Sequence, residues 1–213
     1  MEEKKSLKIN FMGVISTLTF VVMGIGSTFA FFTASAIGKS DESISVSSIE
    51  VVLNLKIAPL YNGKPLLPTN DEDIEKAYEN KCEDLVGSGA CIAYTVELEN
   101  IGASQEGIAI FNAWSETITN LKYMIVSEGE DYEILKPPTP AMGASTDDQL
   151  KDGIPIKLEK GQNSKVVVVI WLSNLEGPQD EEQGGFFEGQ MSFTATSGAK
   201  ITGTIGETVV LQK

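Results

Sequence analysis

The 213-residue chain contains no histidine and no arginine, and it has only two cysteines. Without histidine, neither a Ser-His or Cys-His nucleophile nor a His-ligated zinc site can be built. Without arginine, the chain lacks the side chain best suited to bidentate phosphate recognition. We therefore predict a protein that is not an enzyme and that uses no cofactor.

Carboxylates are the metal ligands that remain, and they would favour calcium or magnesium. Acidic runs lie at 71–73, 147–148 and 180–182, and none has the spacing of a calcium-binding loop. We interpret the first run as serving a helix N-terminus and the other two as solvated loop charges. No metal site is predicted, and calcium between acidic subunits stays an open alternative.

Negative charge dominates the chain, which carries 30 Asp and Glu against 16 Lys and has a net charge of −14. Residues 1–30 hold three Lys and two Glu and contribute +1, so the rest of the chain carries −15. Such a charge repels the phosphates of nucleic acids and the headgroups of anionic lipids. We therefore predict no nucleic-acid partner.

The first 30 residues have the order of a secretory signal peptide. Three lysines precede an apolar run at 11–25, and small residues, Thr28 and Ala30, then occupy the −3 and −1 positions of a cleavage site. We predict cleavage between Ala30 and Phe31, a secreted protein, and contact with a membrane only through this segment before cleavage. An uncleaved anchor helix is the alternative, because residues 11–32 are long enough to span a bilayer. Prepilin-type cleavage inside the apolar run is a weaker alternative.

The two cysteines are Cys82 and Cys91. In an exported protein the default is a disulfide, and Gly87 and Gly89 let the intervening loop turn. The chain-entropy estimate for a loop of this size is roughly 2–3 kcal/mol of stability. Two reduced, buried cysteines are the alternative.

Apolar residues alternate along the first predicted strands, but their parity changes near residue 47. Ile44 and Val46 occupy even positions, whereas the next alternating set occupies odd positions, namely Ile49, Val51, Leu53, Leu55 and Ile57. Because side chains alternate between the faces of a strand, a one-residue slip would turn the apolar set outward. We therefore predict a bulge or a break at Ser47-Ser48.

Further strands are predicted at 92–99, 107–114, 121–126, 154–158, 166–172, 187–196 and 202–211, with a short one at 132–135. The apolar run 166–172 is continuous, which predicts a strand covered on both faces. One short helix is predicted to open with a capping box of Thr69 and Glu72 and to end near Cys82. Its apolar face would hold Ile74, Ala77 and Tyr78.

These elements predict an all-β fold, an antiparallel jelly-roll-like sandwich with one short helix. An immunoglobulin-like sandwich is the alternative. Trp114 and Trp171 lie within apolar strands, so we predict core packing for both, with a carbohydrate-stacking platform as the alternative.

The N-terminal region resembles that of a known family of exported proteins. The lysine-rich start and the apolar run are followed by GSTFA at 26–30 and FFT at 31–33. This order resembles the signal region of proteins processed by SipW-type signal peptidases, whose substrates include the TasA and camelysin (CalY) group of secreted β-rich fibre proteins. The acidic loop from Asn174 and the strand FEGQMSFTAT at 187–196 are similar to the late part of those proteins.

The resemblance implies a filament subunit whose mature N-terminal strand is donated to the neighbouring subunit. It would divide the chain into a signal peptide (1–30), a donor segment (31–48) and a single sandwich domain (49–213). The implied donor-strand residues are Phe31, Phe32, Ala34, Ala36, Ile37, Ile44 and Val46.

The function expected on this basis is that of a structural subunit of an extracellular filament at the cell surface, either a pilus or a biofilm matrix fibre. Its partners would be copies of itself in a head-to-tail polymer, and a signal peptidase during export. The alternative is a monomeric secreted binding module, such as an adhesin or a carbohydrate-binding sandwich. Part of the camelysin group carries a metallopeptidase label, which the absence of histidine contradicts for this chain.

Overall fold

The structure, a computed structural model, describes residues 33–36, 43–47, 52–62, 64, 66–115, 118–141, 153–175, 179, 182 and 185–208. Within these ranges the chain forms eleven strands and one helix. The first strands and the helix are β1 (Thr33–Ala36), β2 (Ser43–Ser47), β3 (Val52–Tyr61), α1 (Ile74–Glu79), β4 (Ile92–Asn100) and β5 (Gln105–Ser115). The remaining strands are β6 (Leu121–Ser127), β7 (Ile134–Pro140), β8 (Ile154–Leu158), β9 (Asn163–Leu172), β10 (Phe186–Ala195) and β11 (Lys200–Thr208).

The strands form two sheets that pack face to face. Sheet A has the order β1-β11-β10-β5-β8, and sheet B has the order β2-β3-β4-β9-β6-β7. The described pairings are antiparallel except that of β1 with β11, which is parallel. The predicted all-β sandwich with one short helix is confirmed. The orders β3-β4-β9-β6 and β11-β10-β5 correspond to the strand order of an immunoglobulin-like sandwich, the alternative in the sequence analysis.

The main core lies between the sheets and follows from alternation along the strands. On β3 the buried residues are Leu53, Leu55 and Ile57, at every second position. They pack in one cluster with inward residues of sheet A, among them Phe111 and Phe193, each 2% exposed. Because successive side chains point to opposite faces of a strand, this spacing buries one face of each sheet.

A second, smaller core covers the outer face of sheet B. It contains the helix residues Ile74 and Tyr78, both cysteines, and the β9 residues Val167, Val169 and Trp171. The remaining positions of β9, such as Val168 and Ile170, point into the main core. The prediction that 166–172 is covered on both faces is therefore confirmed.

The helix begins later than predicted. It spans Ile74–Glu79, with Asp73 at the N-cap and no side-chain capping bond. The capping-box prediction is wrong, because the Thr69 hydroxyl donates instead to the carbonyls of Leu67 and Ala90. The predicted apolar face is confirmed, since the buried helix residues are Ile74, Ala77 and Tyr78.

Two strands continue through prolines. β3 extends to Tyr61 beyond Pro59, with a register shift between these two residues. β7 includes Pro137, Pro138 and Pro140 and pairs irregularly with β6. Proline cannot donate a ladder hydrogen bond, but it is tolerated at bulges and on edge strands, and β7 is the edge of sheet B.

The predicted signal segment and its cleavage site at Ala30 and Phe31 lie outside the described residues. The same is true of 142–152 and of 209–213. Among the residues that the structure does describe, no helix has the length and apolar character needed to cross a membrane.

Candidate assembly site

The segment predicted as the donor strand lies at one edge of the sandwich. We call residues 31–48 the arm, of which 33–36 and 43–47 are described. Its first strand, β1, is the edge of sheet A beside β11, and its second strand, β2, is the edge of sheet B beside β3. The arm thus extends both sheets at the same side of the sandwich, which we call the arm edge.

The register places the apolar positions of the arm beside core residues. In β2, position 44 pairs with Leu55 and position 46 pairs with Leu53. These two β3 residues are 2% and 0% exposed. Because paired residues of neighbouring strands lie on the same face of a sheet, positions 44 and 46 lie on the core face.

The same holds for β1, where position 34 pairs with Ile201 and position 36 pairs with Gly203. Ile201 is fully buried in the main core. The four described donor residues, Ala34, Ala36, Ile44 and Val46, therefore occupy core-face positions on two different sheets.

Glycine 203 allows the two sheets to approach closely at the arm edge. A Cβ added to Gly203 would lie 2.6 Å from Ile57 Cδ1 and 3.1 Å from Leu55 Cδ2. These distances are shorter than an ordinary carbon contact of about 3.5–4.0 Å. β11 and β3 therefore face each other directly, and the arm pairs with the outer edge of both.

The opposite edge of the sandwich is poorly suited to pairing with another strand. Its edge strands are β7, which contains three prolines, and β8, which contains Pro155. Proline has no backbone N–H to donate, and it is one of the devices that protect natural edge strands from pairing. By contrast β11, KITGTIGET, contains no proline.

The predicted break at Ser47-Ser48 falls at the end of a strand. β2 ends at Ser47 and β3 begins at Val52, and these two residues pair with each other. The other predicted arm residues, Phe31, Phe32 and Ile37, lie outside the described residues.

The predicted disulfide is confirmed. Cys82 and Cys91 are joined with a Cα–Cα distance of 4.7 Å, and both are 3% exposed in the core beneath α1. The bond ties the end of the helix region to the start of β4, so it fixes the helix on sheet B.

Hydrogen bonds order the loop that the disulfide closes. Asp84 Oδ1 accepts from the backbone N–H groups of Val86 and Ser88, at 2.9 and 2.7 Å. From outside the loop, Lys64 Nζ donates to the carbonyl of Gly87 at 2.8 Å. Most of the polar groups of this loop are therefore used to hold its own conformation.

Three tyrosines cover the helix side of the second core. The ring of Tyr78 contacts Tyr61 and Tyr132 edge to face, at centroid distances of 6.1 and 5.0 Å. Burial, followed by the charges of Tyr61, Tyr132 and Glu128, raises the pKa of Tyr78 to about 12. Burial also raises the pKa of Tyr132, with smaller contributions from glutamates on α1. The phenols of Tyr78 and Tyr132 therefore remain neutral at physiological pH.

The two tryptophans have opposite surroundings. Trp171 is fully buried in the second core, which confirms the predicted packing role. Its indole Nε1 is buried without a hydrogen-bond partner. Trp114 is 44% exposed on the outer face of sheet A, so the core-packing prediction is wrong for this residue. The neighbouring Ala113 takes the inward position instead, at 6% exposed.

The acidic runs are not equally solvated. Glu182 is 6% exposed, and its Oε1 accepts from the backbone N–H and the hydroxyl of Thr119, at 3.0 and 3.1 Å. The prediction of a solvated charge is therefore wrong for Glu182, which is bonded to the segment that precedes β6. Within the described part of the chain, no group of three or more acidic or cysteine side chains could hold a metal ion.

No family model matches the chain, and no curated protein matches it in sequence. Among solved structures, it is similar to the sporulation control protein Spo0M from Bacillus subtilis, with 8% identity and a TM-score of 0.33 over 75% of this chain. The match spans about half of the Spo0M chain, at 49%.

Two further structures are similar at comparable levels. The GAE domain of GGA2p from Saccharomyces cerevisiae has 8% identity and a TM-score of 0.27, with coverage of 78% of this chain and 96% of that one. A putative ApaA protein from Bordetella pertussis has 9% identity and a TM-score of 0.26, with coverage of 77% and 97%. At such TM-scores these similarities support no argument about function.

Proposed function

We propose that the protein is a secreted structural subunit that polymerises by donating its N-terminal arm to the next subunit. This proposal includes the resemblance to the TasA and camelysin group and an extracellular location. The observation that supports it best is the position of the arm, whose two strands pair with the edge strands of both sheets at one side of the sandwich.

The physical argument begins with the edges that the arm covers. If the arm left its own subunit, β11 and β3 would each present a row of unpaired backbone donors and acceptors. The arm of a second copy carries the same residues and could make the same pairs in the same register. Such an exchange replaces each intrachain contact by an equal contact between chains, as in donor-strand complementation and domain swapping.

The two edges of the sandwich differ in their ability to pair with another strand, and this difference would make the polymer head-to-tail. The prolines of β7 and β8 disfavour pairing at the opposite edge, so each subunit offers one acceptor and one donor. A head-to-tail contact that does not close on itself produces a filament rather than a ring. Export would delay assembly, because the arm stays joined to the signal segment until cleavage.

The alternative function is a monomeric secreted module in which the arm remains in its own subunit. An engineered disulfide between β2 and β3 separates the two cases. Ser43 and Lys56 are opposite each other in the antiparallel ladder. Such residues have Cα atoms about 4.5–5.5 Å apart, within the range that a disulfide bridges.

The mature chain 31–213 carrying both Ser43→Cys and Lys56→Cys should therefore form covalent multimers when oxidised after assembly. On a non-reducing gel the donated arm would give a ladder of bands that collapses to monomer on reduction. The matched control is Glu97→Cys with Lys165→Cys, a pair on β4 and β9 that lies within one subunit in either case. The control should run as a monomer.

A double-cysteine arm variant that runs only as an oxidised monomer, in samples where the control behaves as expected, would contradict strand donation. Electron microscopy provides the second measurement. The mature chain should form filaments, and removal of residues 31–48 should abolish them completely. Filaments that persist without the arm would show that subunits associate by another surface.

A further inference from the structure

We propose that the outer face of sheet A contains a binding site for a polysaccharide of amino sugars, centred on Trp114 and Phe186. This function is separate from polymerisation, because the site lies on a sheet face rather than at the arm edge. It rests on the exposure and register of a small set of residues of β5 and β10.

The two aromatic residues are among the most exposed large apolar side chains of the described chain. Trp114 is 44% exposed and Phe186 is 52% exposed. Their neighbours Ala113 and Phe187 take the inward positions and are buried. Trp114 and Phe186 therefore point outward from sheet A, where their ring surfaces are accessible to a ligand.

The register brings the two rings close together. Trp114 pairs directly with Glu188, and Phe186 lies two residues before Glu188 on the same face of β10. Such diagonal neighbours are separated by roughly 7–8 Å, within reach of aromatic side chains. A hydrogen bond from Ser115 Oγ to the carbonyl of Phe186, at 2.6 Å, holds the strand ends together at this point.

Polar side chains continue the same surface along the strands. Asn112 pairs with Gln190 on the outer face, next to the pair of Trp114 and Glu188. All three polar side chains are partly exposed. Amide and carboxylate groups beside aromatic rings are the combination that binds sugars, since the rings cover apolar C–H surfaces and the polar groups bond to hydroxyls.

The negative charge of the site favours sugars that carry a protonated amino group. Glu188 is the charged residue that pairs with Trp114 in the described part of the chain, and the chain as a whole is strongly acidic. The lysine of β8 on this sheet, Lys157, is paired with Glu106 at 3.2 Å. An acidic polysaccharide would be repelled, whereas a protonated amino group gains from the Glu188 carboxylate and from a cation–π contact with Trp114.

A second copy of this chain is a poorer occupant of the same surface. A stable protein interface buries about 1,200–2,000 Å² and has a packed apolar centre. Here two aromatic rings are bordered by amide and carboxylate groups, which makes the surface more polar than the centre of a stable interface.

The test is calorimetric titration of the mature chain with a glucosamine hexasaccharide and, separately, an N-acetylglucosamine hexasaccharide. We expect both sugars to bind and the glucosamine form to bind more tightly. Trp114→Ala and Phe186→Ala should each weaken binding by at least about tenfold. Glu188→Gln should retain binding but remove the preference for the free amine.

The matched control is Leu85→Ala, which truncates an exposed apolar residue of the disulfide loop and should leave both affinities unchanged. The proposal is overturned if neither hexasaccharide binds, or if Trp114→Ala binds as tightly as the parent. It is also overturned if the parent self-associates through this face, which sedimentation would reveal as a dimer that Trp114→Ala dissociates. The titration outcomes can be separated from those of the arm, because none of these substitutions lies in β1, β2, β3 or β11.

Discussion

The outer faces of the two sheets differ in whether their apolar side chains are covered by other parts of the chain. Sheet B turns apolar residues outward from β9 and covers them with α1 and the disulfide loop, so Trp171 is fully buried. Sheet A has an outward tryptophan at the end of β5, where Trp114 is 44% exposed and no helix of the described residues covers it. An apolar side chain that contributes to stability needs a covering element, whereas one left exposed is available for binding.

Removal of each indole is the strongest test of this contrast. Trp171→Ala should lower the free energy of unfolding by about 3–5 kcal/mol, because it leaves a large cavity beneath α1. Trp114→Ala should change it by less than about 0.5 kcal/mol, as is usual for exposed positions. Urea unfolding followed by far-UV circular dichroism measures both without depending on tryptophan fluorescence. Equal losses of unfolding free energy in the two variants would contradict the difference between a covered and an exposed tryptophan.

A third variant refines the result for Trp171. Because its Nε1 is buried without a hydrogen-bond partner, the native indole already bears the cost of an unpaired donor. Trp171→Phe removes that donor and retains most of the ring volume, so it should cost clearly less than Trp171→Ala. A phenylalanine variant as unstable as the alanine variant would indicate that the shape of the indole, rather than burial, decides stability there.

The disulfide gives the next largest effect, because it holds the cover of sheet B in place. Replacing Cys82 and Cys91 together by serine should cost about 2–3 kcal/mol, the chain-entropy estimate for a loop of this length. Hydrogen exchange should show loss of protection concentrated in α1 and the start of β4. Uniform loss of protection across sheet A would argue against a local role, and reduction of the parent chain should reproduce the effect of the double substitution.

Alkaline pH should destabilise the packing of α1 on sheet B, because the buried phenol of Tyr78 ionises there. Its pKa is raised from 10.0 to about 12 by burial, so the folded state favours the neutral phenol. Stability is therefore fully present below pH 10 and is lost as the pH rises from 10 to 12, by at most about 2.7 kcal/mol at 1.36 kcal/mol per pKa unit. Urea midpoints measured from pH 9 to 12 should fall in this window.

Tyr78→Phe provides the matched comparison, because it retains the ring and removes the titrating hydroxyl. The midpoint of this variant should fall less steeply between pH 10 and 12 than that of the parent. Identical pH profiles would exclude Tyr78 as the group responsible.

The sequence predicted sheet B better than sheet A, for a physical reason. A run of seven apolar residues at 166–172 predicts a strand that is buried on both faces. The spacing of Ile74, Ala77 and Tyr78 predicts the helix that covers its outer face. On β5 the run from Ile108 to Phe111 interrupts the alternation, so the sequence does not show which face Trp114 occupies. The exposure of Phe186 depends on the register of β10 with β5, which no pattern within β10 specifies.

The arm edge could be predicted only in part. The parity change near Ser47 indicated where β2 ends, and the register confirms that β3 begins a new strand at Val52. The parallel pairing of β1 with β11 joins residues about 170 positions apart, and no local pattern specifies it. The solvated charge predicted for Glu182 is wrong for a similar reason, because its partner Thr119 is distant in sequence.

The smallest effect on stability is expected from an ion pair beside the helix and loop that cover sheet B. Lys122 Nζ lies 2.6 Å from Asp71 Oδ2, with the two side chains 27% and 38% exposed. Ion pairs that remain accessible to water contribute about 0–1 kcal/mol, because solvent and salt screen the charges. A double-mutant cycle of Lys122→Met and Asp71→Asn, measured by urea unfolding, should give a coupling energy below about 1 kcal/mol that falls further in 0.5 M salt. A larger, salt-independent coupling would show that the cover of sheet B depends on this pair as well as on apolar burial.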